Sequence, residues 1–149
     1  MDFNEIYKVY IKVNDKNEIY AVNSSAFLPN SIIAADQWIE IDEGAGDKYH
    51  HAQGNYFELG VYDTNSIPNY KYIDGSVVEM TDEDKQPYVD RINALARIAE
   101  CKANLASTDY ISIKINEGVA SREQYAVQLE QRQAWRDEIN ELEATYLTV

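Results

Sequence analysis

Cysteine occurs once in this chain, as Cys101, so no disulfide can close within it. The residue lies in an apolar helical pattern, which reads as a buried thiol rather than a nucleophile. No apolar run approaches the roughly 20 residues that cross a bilayer. The opening MDFNEIYKVY has neither the basic start nor the apolar core of a signal peptide, so the expected setting is the cytosol. Basic charge is scarce as well. Thirteen Lys and Arg stand against 26 Asp and Glu, a net charge of −13, and every arginine lies beyond residue 90. Without a basic face, binding to nucleic acid or to an anionic membrane is disfavoured. The acidity is read as solubility, with docking onto a basic partner surface as the alternative.

Catalytic signatures are missing in the same way. There is no nucleophile elbow and no phosphate-binding glycine loop. GAGDKY, from Gly44 to Tyr49, has two glycines at the spacing of a dinucleotide fingerprint but lacks the third glycine and the apolar helix that should follow. Histidine occurs only as the pair His50 and His51, in a glycine-rich stretch with Asp47 and Tyr49 and with Asp42 and Glu43 nearby. Adjacent histidines on extended chain point in opposite directions, so both could ligate one ion only if the chain bends sharply. The reading is a structural or interface loop, with no metal site, no cofactor and no catalytic residue.

What the chain does contain is enough to form a core: 149 residues, 45% apolar and 26% charged, ordinary for a globular protein. Composition changes near Thr81. Before it lie eight of the twelve tyrosines and every glycine except Gly118; after it come Ala, Leu, Glu, Gln and Arg. The first part, 1–81, alternates as strands do. Tyr7, Val9, Ile11 and Val13 share one face of a strand, Asn14 to Asn17 form a turn, and Glu18 to Val22 return as its hairpin partner. Gln37 to Asp42 makes a third strand. Tyr70 to Ile73 and Ser76 to Met80 flank Asp74-Gly75, a type I′ hairpin signal. Residues 43–69 read as loop, with a short strand near Asn55 to Leu59.

The second part, 82–149, reads as helix. Thr81 and Asp84 are placed as a capping box, and Asp82, Glu83 and Asp84 complement the helix dipole. Pro87 is tolerable only in a first turn, which predicts a regular start a few residues later than the acidic run. Tyr88, Ile92, Leu95, Ala99, Lys102 and Leu105 form one stripe; Tyr125, Leu129, Arg132, Trp135, Ile139, Leu142 and Tyr146 form another. The expectation is an antiparallel hairpin whose stripes meet, with Ile92, Leu95, Leu129, Trp135, Ile139 and Leu142 as its core. Between the stripes, Thr108 or Asp109 can start a short inserted helix, Gly118 can end it, and Ser121 with Gln124 can open the next. Ile111, Ile113 and Ile115 alternate as a strand would, but the bracketing residues favour helix over 109–117. The fold class is therefore α+β: a small antiparallel β domain, then an antiparallel helical hairpin with a short inserted helix.

Two blocks resemble a known class of protein. One is TDYISIKINEG from Thr108 to Gly118 followed by Arg132, Trp135, Arg136, Glu138, Ile139, Asn140, Glu141, Leu142 and Glu143; the other joins Trp38 to Phe57 with Asn69 to Glu79. Both resemble small tail proteins of phages and prophages of Gram-positive bacteria, of the tail-fibre assembly or baseplate accessory type. The resemblance implies a noncatalytic protein that contacts a tail-fibre or baseplate protein, made in the bacterial cytoplasm and left open as to whether it stays in the virion tail. It implies a β N-terminal part and a helical C-terminal part, and leaves homo-oligomerisation open. The tyrosines Tyr49, Tyr56, Tyr62, Tyr70 and Tyr72 are the candidate contact residues, since tyrosine offers large area with a polar tip. The alternatives are a permanent subunit of the baseplate or fibre tip, and a metal-dependent carbohydrate-binding or enzymatic module built on the 42–57 loop.

Overall fold

The computed structural model describes residues 4–147. Its architecture is α+β: antiparallel strands in two small sheets, a long helix and a C-terminal helix. The chain divides into two compact units between Gln86 and Pro87, inside the helix that Thr81 opens.

In the first unit β1 (Tyr7–Val13) pairs antiparallel with β2 (Ile19–Ser24). Tyr7 and Val9 are buried while Lys8 between them is exposed, as alternation requires. The turn between the strands is built by Asn14, whose Oδ1 accepts from the backbone N–H of Lys16 and Glu18, while Asn17 takes φ +63°. After Pro29 comes α1 (Asn30–Ala35), which the sequence reading did not anticipate. Strand β3 (Ile39–Gly44) then pairs with the other edge of β1, giving the order β2-β1-β3.

The stretch read as loop holds two helical turns, α2 (Asp47–His50) and α3 (Ala52–Asn55). The strand expected near Asn55 to Leu59 is not there: Tyr56 N–H closes a helical bond to Ala52 O, and Gly60 N–H a turn to Phe57 O. The glycines and polar residues had suggested irregular chain, but they permit the tight entry at Gly46, where φ is +102°. The burial of Ala52 and Phe57 against the sheet fixes the turns. Strands β4 (Tyr70–Ile73) and β5 (Ser76–Glu79) form the second sheet, and positive φ at both Asp74 (+53°) and Gly75 (+81°) gives the type I′ turn. Tyr72 N–H donates to Asn17 O at 2.8 Å, linking this hairpin to the first turn. The unit's core is Val9, Ile11, Ile19, Val22, Ala52 and Phe57.

Helix α4 (Asp82–Asn116) starts where the capping box places it: Thr81 N–H donates to Asp84 Oδ2 at 2.9 Å and Asp84 N–H to Thr81 Oγ1 at 3.1 Å. The later start expected from Pro87 is not seen, and the proline sits inside the helix. Two anchors hold the turns before it. Lys85 Nζ donates to Asn69 Oδ1 and Asp63 Oδ2, and Lys71 pairs with Asp84 at 2.8 Å. They compensate the i−4 bond that a proline cannot make.

The expected helix start at Thr108 is also absent, and with it the short inserted helix. The Thr108 hydroxyl donates back to the carbonyls of Asn104 and Leu105, so it bonds within the helix rather than capping a new one. Residues 109–116 are the last turns of α4, and helix prevails over the strand periodicity there. Gly118 ends it in a Schellman motif: φ is +79°, its N–H donates to Ile115 O and Val119 N–H to Lys114 O. Ser121 and Gln124 exchange the two bonds of a capping box, opening a 3₁₀ turn (Glu123–Tyr125) that runs into α5 (Ala126–Tyr146).

The two helices run antiparallel, Arg97 meeting Glu138 while Leu105 and Asp109 meet Arg132. On α5 the side facing α4 is the expected stripe: Arg132 and Ile139 are buried, and Trp135 and Leu142 pack on the cluster. On α4 the seam is Ala94, Ile98, Cys101, Leu105 and Ile111, displaced from the expected stripe. Ile92 and Leu95, assigned to the core from the sequence, are 41% and 44% exposed. Both phases of α4 repeat at three- and four-residue steps, and the sequence alone offers no partner to decide between them. The phase carrying Ala94, Cys101 and Thr108 wins because small residues admit the bulky Arg132 and Trp135 of α5.

Candidate functional site

Two surfaces draw together the residues singled out from the sequence. The first lies in the β unit around α2. The ring of Tyr49 covers Gly44 so closely that a Cβ there would sit 2.5 Å from it. Tyr49 meets Tyr56 edge to face, Tyr56 meets Phe57 likewise, and Phe57 stacks on Tyr70 with centroids 4.4 Å apart. Tyr56 O–H donates to Asp42 Oδ2 at 2.9 Å, and burial together with that carboxylate pushes its phenol pKa well above the usual tyrosine value. Lys48 Nζ lies 4.9 Å from the Tyr56 ring.

Four of the five candidate tyrosines, Tyr49, Tyr56, Tyr70 and Tyr72, thus pack against the β core as partly buried walls. Tyr62 differs: it is 46% exposed, and its hydroxyl reaches Tyr20 O at 3.4 Å.

Beside them, the helical turn gathers Asp47, His50 and His51. The sequence reading made their convergence conditional on a sharp bend; the helical turn supplies it, since a helix puts positions i, i+3 and i+4 on one side. His51 Nδ1 meets Asp47 Oδ1, Asn55 Nδ2 donates to Asp47 Oδ2 at 2.7 Å, and Tyr7 and Phe27 set their rings against His50. Sequence reasoning missed Asn55 and Phe27, whose roles depend on the fold of α2 and α3.

The second surface is the outer side of α4. Ile92, Leu95, Ala99, Lys102, Ala106, Tyr110 and Ile113 recur every three or four residues and are all exposed. Much of this is the stripe read as core. It forms a second, exposed row beside the α5 contact, where Lys102 pairs with Glu143 and the Tyr110 ring meets Tyr125, with the spacing that lets helices pair. The inner seam is held by charge as well as by apolar contact. Arg97 makes a two-pronged bond to Glu138 at 2.7 and 2.9 Å, and this guanidinium holds the Glu138 carboxyl below its ordinary value. Cys101 S–H donates to Glu138 Oε2 at 3.5 Å; burial first, then Glu138, raises its thiol pKa, which disfavours the thiolate. Arg132 reaches across to Leu105 O, Thr108 Oγ1 and Asp109 Oδ1.

One open groove in the helical unit, of about 700 Å³, is lined by Ser112, Arg122, Leu129 and Arg136 among others. No helix among the described residues is long and apolar enough to cross a membrane. Compared with family models, curated proteins and solved structures, the chain matches none of them.

Proposed function

We propose that this chain is a noncatalytic phage tail protein that works by protein–protein contact, as a tail-fibre assembly or accessory protein. The observation that carries the reading is the exposed stripe on α4. A helix packed on α5 through one side also leaves Ile92, Leu95 and Ile113 exposed in a separate row, with Tyr110 in that row meeting Tyr125 at its flank, at the spacing of a coiled-coil seam. Isolated exposed apolar residues are normal on a protein surface, but a periodic row along one helix signals a partner helix. Lys102 in the row pairs sideways with Glu143 at 3.5 Å, which leaves its stem to cover apolar surface. The resemblance of the Thr108 to Glu143 block to small tail proteins supplies the setting, and that block lies on α4 and α5.

The test is co-purification. The tagged chain is expressed with the fibre and baseplate proteins encoded beside its gene, and Ile92→Glu with Leu95→Glu is compared with wild type. These positions are exposed, so the helical circular dichroism is expected to persist while capture of the tail protein falls at least tenfold. Equal capture by the double variant would remove the α4 stripe as the contact, and capture of no tail protein by wild type would sink the reading.

A further inference from the structure

We propose that Asp47, His50 and His51 form a binding site for one divalent transition-metal ion of the zinc class. One nitrogen from each imidazole and one carboxylate oxygen lie within 4.8 Å of one another. Two histidines and one carboxylate are a donor set suited to zinc, with bonds of about 2.0–2.2 Å and a fourth position left for water. The set arises from a single turn of helix, so one short segment supplies every protein ligand.

Hydrogen bonding within the group ties His51 Nδ1 to Asp47 Oδ1 but leaves His50 without a well-directed partner there. His50 Nδ1 lies 3.1 Å from His51 Nδ1 and 3.2 Å from His51 Nε2, nearly equidistant. A position equidistant from both ring nitrogens lies along the lone pair of neither, so no well-directed imidazole–imidazole bond forms.

The surroundings fit a built site. Asn55 Nδ2 holds Asp47 Oδ2 at 2.7 Å, which orients the carboxylate from behind and leaves Oδ1 directed at the histidines. Tyr7, which is buried, and Phe27 fix the His50 ring edge to face at centroid distances of 4.8 and 5.4 Å, and Phe27 also lies against His51 at 5.6 Å. The Asp47 and His51 side chains are themselves about half exposed, so an ion can enter. Binding replaces the protons shared within the group, and the ion ties α2 to the start of α3.

Equilibrium dialysis of the full chain against Zn²⁺, and visible absorption with Co²⁺ as a spectroscopic substitute, test the site. The expected result is one ion per chain, with Co²⁺ bands typical of a nitrogen- and oxygen-ligated low-coordinate ion. His51→Gln and Asp47→Asn are each expected to weaken binding by at least about tenfold, and Asn55→Ala by about tenfold through the lost orientation. No stoichiometric Zn²⁺ on the wild type, or the same affinity in His51→Gln and Asp47→Asn, would overturn the proposal. If a variant loses its fold, the wild-type Co²⁺ spectrum together with Zn²⁺-dependent shifts of the two histidine ring signals in NMR decides the matter; absence of both refutes the site.

Discussion

Replacing Arg132 tests how the helical unit is locked. The residue is 4% exposed, lies in the second turn of α5, and reaches Leu105 O and Asp109 Oδ1 at 2.8 Å as well as the Thr108 hydroxyl. Substitution by Ala keeps Cβ and removes about two methylenes of the stem at about 0.8 kcal/mol each. The bonds to Leu105 and Thr108 add about 1 kcal/mol apiece. The pair with Asp109 adds less than about 1 kcal/mol, because that carboxylate is 62% exposed and is rehydrated once the arginine is gone. Arg132→Ala is therefore expected to cost about 4 kcal/mol. Arg132→Met keeps most of the stem, and it also removes Nε, a buried donor with no acceptor among the described residues. The expected cost of Met is about 1–2 kcal/mol. Urea denaturation followed by the helical circular dichroism signal measures both. Equal losses for Ala and Met would show that the stem contributes nothing, and losses under about 0.5 kcal/mol for both would refute the lock.

Gly44→Ala places a Cβ against the Tyr49 ring, so it is expected to destabilise the β unit by about 1–3 kcal/mol in the same denaturation experiment. Trp135 is only partly buried, so Trp135→Ala should cost about 2–3 kcal/mol, below the range for an enclosed tryptophan, and a loss above about 4 would place it deeper than the fold does. A fragment covering 82–149 buries only Ala94, Ile98, Cys101, Ile111, Arg132 and Ile139 in its helices. With the α4 stripe uncovered, it is expected to be helical and to melt at a temperature that rises with concentration, which a stand-alone two-helix core would not show.

The strands were legible because each signal was local. Alternation from Tyr7 to Val13, Asp74-Gly75 at a turn that needs two positive φ values, and the reciprocal caps at Thr81 with Asp84 and Ser121 with Gln124 depend on neighbours within a few residues. What failed depended on distant ones. The phase of α4 is chosen by which side Arg132 and Trp135 meet, so Ile92 and Leu95 could not be assigned from spacing alone. Thr108 reads equally as a cap or as a hydroxyl bonded back to Asn104, and Pro87 is held in its helix by ion pairs from Lys71 and Lys85. For Asp47, His50 and His51 the sequence leaves convergence to a sharp bend that spacing alone cannot supply, and the helical turn after Gly46 brings the three side chains together.

Cross-linking mass spectrometry in phage-producing cells bears most directly on the proposed role. With a short lysine-reactive linker, Lys102 and Lys114 on α4 are expected to join a tail-fibre or baseplate protein, and those links should vanish in the Ile92→Glu and Leu95→Glu variant. Links from these lysines to no tail protein, or links that persist unchanged in the variant, would contradict it.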